Sequence, residues 1–200
     1  MASAGRPRTF DKEEALIKAM HVFWERGYEG TTMANLVDAI GIKAPSLYAA
    51  FGNKDSIFKE ALLSYSAIIG NGQLKALKDA PNIVDAAEAA LQESVELFSN
   101  KTNPNTCLIM TSAINTSPEN IQHADTLREM RFGYKRAWVN RFQQAMEDAQ
   151  LNELADANTL GEFFSTLIQG MAITAKDGAS KEDLKNTAQL GLQCLKAFVA

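Results

Sequence analysis

Gly41 and the residues around it narrow what this chain can fold into more than any other feature. Residues 31–54 read TTMANLVDAIGIKAPSLYAAFGNK. A Thr-Thr cap opens a short segment with Leu36 and Ile40 on one face; after the glycine comes a second short segment, with Pro45 in its first turn and Leu47 on its apolar side. Glycine permits a turn that side chains disfavour, and Leu36, Ile40, Ile42 and Leu47 can hold the two short helices at a fixed angle. This is the pattern of a helix-turn-helix, whose first helix crosses a DNA backbone while the second enters the major groove.

The rest of the chain also reads as helical. Asp11 with Glu14 is a capping-box pattern; Leu16, Ala19, Met20 and Phe23 follow at helical spacing, and Gly27 closes that helix. Asn53 caps a helix over residues 54–69 with Ile57, Phe58, Ala61, Leu62 and Tyr65 on its apolar side, and Gly70, Asn71 and Gly72 are expected to break it. Further helices are expected over residues 82–98, from Ser117-Pro118 to about 150 with a break near His123, over 156–176 and over 181–199, where Ser180 and Asp183 give a second capping signal. A short segment over 107–116 lies among them. No stretch alternates like a strand, so the expected class is all-α.

Charge distribution refines this reading. The net charge of −4 comes entirely from the region after residue 60, and the first 60 residues are neutral. Residues 1–10 carry Arg6 and Arg8 and no acid, a short basic arm suited to phosphates or a narrow minor groove. No apolar run approaches the roughly 18–20 residues that cross a bilayer, and no apolar stretch follows the basic N-terminus as in a secretory signal. Cys107 and Cys194 lie far apart, which fits reduced thiols in a cytoplasm. Two His and two Cys form no clustered metal motif, and no Gly-rich phosphate loop occurs, so no cofactor is expected.

Thr31-Thr32, Leu36, Gly41-Ile42, Leu47-Tyr48, Phe51 and Lys54 stand in gapless register with the DNA-binding domain of the tetracycline-repressor (TetR) family, which the chain resembles over residues 10–60. Ala15-Leu16, Ala19, Phe23 and Gly27-Tyr28 match that family's first helix. Lys43 stands where a capping Ser is common and Pro45 where Gly often sits, departures that bear on which bases are read. The resemblance implies a basic arm and helix-turn-helix domain over 1–54, joined by a linking helix to a helical ligand-binding and dimerisation domain over 55–200. It implies phosphate contacts from Thr32, Tyr48 and Lys54, the first and last at helix N-termini where free N–H groups and the helix dipole favour anions. Lys43, Ala44 and Ser46, with Ala49 beside them, would face the groove: lysine can donate to guanine, and alanine can pack on a thymine methyl.

The implied function is a cytoplasmic repressor that binds double-stranded operator DNA as a homodimer and answers a small-molecule effector. The family pairs its last two helices with their copies; here Phe163, Phe164, Leu167, Met171, Leu184, Ala188, Gly191 and Leu195 are the candidates, with Gly161 and Gly170 allowing close approach. Phe98, Cys107, Met110, Ile114, Met130, Tyr134 and Trp138 are candidate pocket residues. Arg128, Arg131 and Lys135, at helical spacing, are either a solvated basic face or a site for an anion. Two alternatives stay open. Cys107, at a helix start where the dipole can lower a thiol pKa, would make the chain a thiol-based repressor responsive to oxidants or electrophiles. A Cys nucleophile with a His base would make it an enzyme, which nothing else in the sequence supports.

Overall fold

The computed structural model describes residues 10–114 and 116–200. Its helices are α1 (Lys12–Arg26), α2 (Met33–Ile40), α3 (Ala44–Phe51), α4 (Lys54–Ile69), α5 (Lys75–Asp79), α6 (Ile83–Ser99), α7 (Leu108–Thr111), α8 (Ile121–Glu147), α9 (Ala157–Lys176) and α10 (Lys181–Lys196). The described residues contain no strand beyond an isolated bridge between Leu151 and Val199. The expected all-α class holds.

Local chemistry accounts for where helices start. The Asp11 carboxylate accepts from the backbone N–H groups of Glu13 and Glu14, at 2.7 and 3.1 Å. Thr32 and Asn35 form a reciprocal capping box on α2, as Ser180 and Asp183 do on α10. Asn53 caps α4 through Ser56 N–H, at 2.9 Å. Each cap supplies an acceptor for an end-of-helix donor and contributes about 1 kcal/mol. The Gly41 N–H closes α2 on the Val37 carbonyl at 2.9 Å.

Packing follows the apolar faces. α1 lies on α4 through Phe23 and Trp24, joined by Tyr28 from the turn that follows, and these meet Phe58 and Tyr65 ring to ring. α2 and α3 add Leu36, Ile40, Leu47 and Phe51 to this core. α8 and α9 pack closely: a Cβ on Gly161 would come within 2.4 Å of Val139. α10 packs on α6 and against α9, where a Cβ on Gly191 would reach Leu167 at 2.5 Å.

Three expectations change. α4 does not break at Gly70 but continues through one π-helical turn, Gly70–Leu74, into α5. Two glycines cost helix roughly 2 kcal/mol, yet burying the apolar Ile69 and Leu77 on either side favours the continuous course. α8 runs unbroken through His123, which is buried, after a 3₁₀ turn at Pro118–Asn120. The segment after Cys107 is helical only over Leu108–Thr111.

Gly27 and Gly41 provide a direct comparison. Both have positive φ, at +70° and +79°. A Cβ at Gly41 meets nothing, whereas one at Gly27 would sit 2.8 Å from the Ser112 carbonyl oxygen. Gly41→Ala should therefore cost only the left-handed backbone term, about 1–2 kcal/mol. Gly27→Ala should cost more, because Ser112 must also withdraw. Urea unfolding of both variants checks the order, and equal losses would contradict the close approach.

Candidate nucleic-acid interface

α3 is built to present one face. Leu47 and Phe51 anchor it in the core, while Lys43, Ala44, Pro45, Tyr48 and Ala49 are exposed and Ser46 is half-buried. Tyr48 keeps 51% of its surface open, so it is no core aromatic; Phe51 is one. Lys43 makes no side-chain cap, leaving its ammonium free to extend, and Pro45 in the first turn removes one backbone donor from that helix end.

Thr32 and Lys54 are used differently from their expected roles. The Thr32 hydroxyl is engaged with Asn35, accepting from its N–H at 3.1 Å and donating to its Oδ1 at 2.8 Å. Any anion at the start of α2 is left to backbone N–H groups. The Lys54 ammonium donates to the carbonyls of Tyr28 and Thr31, at 3.1 and 3.0 Å, and lies 4.0 Å from the centroid of the Tyr28 ring. Two of its three protons thus tie down the loop before α2. Arg6 and Arg8 lie outside the described residues.

That loop, residues 27–31, is clamped from the other half of the molecule. Tyr28 N–H donates to the Ser112 carbonyl at 3.1 Å. The Tyr28 hydroxyl donates to Asp55, which also meets His123 Nε2 at 3.0 Å, and the Tyr28 and His123 rings lie 4.0 Å apart. Glu29 accepts from Ser117 N–H, Ser117 Oγ and Asn120 Nδ2 at 2.8, 2.9 and 3.0 Å, which holds its carboxyl below the usual range. Sequence reasoning missed Glu29, Asp55 and His123 as a set; the only signal was Tyr28 within the family match, and His123 was misread as a helix break.

The other predicted sites divide. Phe98, Cys107, Met110, Tyr134 and Trp138 are buried and Met130 is half-buried, but Ile114 is 60% exposed and lines a surface groove with Trp24 and Ile173. Burial raises the Cys107 thiol pKa, overriding the helix start that was expected to lower it. Phe164, Met171, Leu184, Ala188, Gly191 and Leu195 are buried within one chain, where Phe164 stacks on Trp138 with centroids 5.0 Å apart, so they are not available to a second copy. Phe163 and Leu190, 40% and 61% exposed, remain open on α9 and α10, with Gly170 beside empty space and Leu167 half-buried. Arg128 pairs with Asp125, Lys135 with Glu162, and Arg131 donates to the Ile109 carbonyl, so the basic residues on α8 form no common site. The described residues contain no group of three or more His, Cys, Asp or Glu placed to hold a metal, and no helix long and apolar enough to cross a membrane.

Against known proteins, residues 16–61 match the family described as bacterial regulatory proteins, tetR family. The chain is 33% identical to the HTH-type transcriptional repressor ComR of Escherichia coli (strain K12), covering 93% of this chain and 89% of that protein. It is 25% identical to the HTH-type transcriptional repressor BdcR of the same strain, covering 98% and 94%. Its fold matches a cysteine mutant of the TetR family transcriptional regulator CifR complexed with 26bp double-strand operator DNA, with TM-score 0.90, 35% identity, and 94% and 98% coverage.

The clamp makes a pH-dependent prediction. The hydrogen bond from Tyr28, then that with His123, holds the Asp55 carboxyl below its ordinary value. A depressed carboxyl stabilises the fold above the unfolded value, near about 4, and that contribution is lost as pH falls through the folded value. Asp55→Asn keeps an acceptor but loses the charge, and should be less stable by about 1 kcal/mol at neutral pH. Urea unfolding from about pH 7 down to about pH 3 should show the gap closing on the acid side; a pH-independent gap would contradict the assignment.

Proposed function

The chain belongs to the tetR family of bacterial regulatory proteins, and on that premise we propose that it is a transcriptional repressor, binding an inverted-repeat operator as a homodimer and releasing it when a small effector binds. One observation carries the reading: α3 buries only Leu47 and Phe51 and leaves Lys43, Ala44, Tyr48 and Ala49 exposed. A short helix held from behind, with a free lysine and free methyls in front, suits a major groove. The likeness in fold to CifR, solved on operator DNA, supports the same use of this face.

Roles follow from what each side chain has free. Lys43, Ala44 and Ser46 read base edges, with Ala49 beside them. The Tyr48 hydroxyl and the backbone N–H groups after Thr32 take phosphates. Lys54 acts mainly by fixing the loop that sets the angle of α2, and the arm carrying Arg6 and Arg8 adds charge contacts. The open stripe with Phe163, Leu167, Gly170 and Leu190 is the dimer surface, and two-fold symmetry then presents two copies of α3 to successive half-sites. Residues 1–54 are the DNA-binding part and 55–200 the sensing and dimerising part, with α4 shared between their cores.

Fluorescence anisotropy on an operator duplex selected by the protein from random DNA, with each base pair then varied in turn, tests these roles. Lys43→Gln should change base preference at one position per half-site by about 1–3 kcal/mol, whereas Tyr48→Phe should weaken binding to every sequence alike. Sedimentation of the complex should give an even number of chains per operator. A Tyr48→Phe variant with altered base preference, or a single chain on the full operator, would contradict the assignment.

A further inference from the structure

His123 is one of two histidines in the chain, and it is buried where the two halves of the molecule meet. Its Nε2 lies 3.0 Å from Asp55 Oδ1, the oxygen that also accepts from the Tyr28 hydroxyl. Its ring meets the Tyr28 ring, with centroids 4.0 Å apart, and the Phe58 ring edge-on at 5.2 Å. Histidine is the side chain whose charge ordinarily changes between about pH 5 and pH 8. Placed inside a clamp between domains, such a group makes the strength of the clamp depend on pH.

The charges around the ring decide the sign of that dependence. From α4, Asp55 is in direct contact, Lys59 lies close enough to act on the same carboxyl, and Lys54 sits 4.0 Å from the Tyr28 ring centroid. From the loop come Tyr28, whose hydroxyl keeps its proton because burial and then Asp55 push its pKa up, and Glu29, occupied by Ser117 and Asn120. α7 adds no titratable side chain over Leu108–Thr111. On α8 and the 3₁₀ turn before it, Glu119 and Asp125 are exposed, and Asp125 is paired with Arg128. Among the described residues Asp55 alone hydrogen-bonds the His123 ring, so its anion outweighs the more distant lysines.

We infer that protonation of His123 tightens the clamp and strengthens operator binding, so that this regulator responds to protons; the inference rests on the repressor reading above. A neutral imidazole gives Asp55 one N–H donor. An imidazolium gives it a donor and a full opposite charge, which makes the stronger bond. The sign follows: the extra hold is present while the imidazole is protonated and is lost as rising pH removes that proton. The Asp55 carboxyl, held below its ordinary value by Tyr28 and then His123, stays ionised across that window.

The bond spans the joint that sets the recognition helix. Asp55 opens α4 beside the core of the helix-turn-helix, and Tyr28 belongs to the loop that leads into α2. His123 stands in the first turn of α8, in the other half. A setting of the two halves that displaces α2 and α3 also draws Asp55 and Tyr28 away from His123. The proton therefore favours the clamped setting, the one that fits DNA.

Anisotropy with the selected operator duplex tests this on the intact protein at constant ionic strength, from about pH 8 to about pH 6. Parent affinity should rise about fivefold or more toward the acid side, the difference between a neutral and a charge-assisted hydrogen bond. His21→Gln, which replaces the other histidine, should keep that rise, whereas His123→Gln and Asp55→Asn should each flatten it. Calorimetry of parent binding in buffers of different ionisation enthalpy needs no substitution: forming the complex near neutral pH should take up protons, to a limit of about one per chain. A flat parent profile, no net proton uptake, or a His123→Gln profile as steep as the parent's overturns the inference. Operator binding absent at every pH indicts the regulator reading, whereas binding that is present yet independent of pH indicts only the switch.

Discussion

The bond from Tyr28 N–H to the Ser112 carbonyl is where the two halves of this molecule become one. It forms because residue 27 is glycine: the backbone turns at φ +70° and comes so close to Ser112 that a methyl group would collide with its carbonyl. Once that contact is made, the Tyr28 ring lies against His123 and its hydroxyl reaches Asp55, while Glu29 reaches Ser117 and Asn120. The loop leading into α2 therefore has its position fixed from α4, α7, and α8 together. An exposed recognition helix needs such a base, since α3 buries only Leu47 and Phe51 of its own.

Two long helices carry the consequence. α4 starts beneath the loop and ends in the π turn that holds Gln73; α8 starts at the loop and passes Tyr134 and Trp138. A displacement at the far ends of α4 and α8 would reach the DNA-binding half through the same pair of elements that clamp the loop. Such a change shifts operator affinity only as far as the effector prefers one setting of these helices, typically 1–3 kcal/mol for allosteric coupling, or about 5- to 150-fold. The long helices offer a mechanical path; coupling also needs an effector that contacts two settings of these helices differently.

Much of this was legible in the sequence, for identifiable reasons. Helix ends were readable because caps are local: Asp11, Thr32, Asn53 and Ser180 each act within three residues of themselves. The exposed face of α3 was readable because Leu47 and Phe51 are its only large apolar side chains besides Tyr48. The roles of Lys54 and His123 were not, because both depend on partners far along the chain, the carbonyls of Tyr28 and Thr31 for one and Asp55 for the other. Gly70 and Gly72 suggested a break because propensity is local, while burial of Ile69 and Leu77 is not. Six of the eight dimer candidates, all but Phe163 and Leu167, are covered within one chain for a similar reason. Periodicity finds an apolar stripe but not which neighbour covers it, and α6 and α8 cover most of the stripes on α9 and α10.

The central claim is that the clamp on Tyr28 fixes the recognition helices, and the distance between the two copies of α3 tests it most directly. A spin label at Ala49→Cys, on a Cys194→Ser background that removes the exposed thiol, reports that distance in the proposed dimer, free of DNA, by pulsed electron resonance. The parent should give one narrow distribution. Tyr28→Phe removes only the hydroxyl that reaches Asp55, and should broaden or shift the distribution and weaken operator binding together. A distribution as narrow and as centred as the parent's, with operator affinity reduced all the same, would contradict the account.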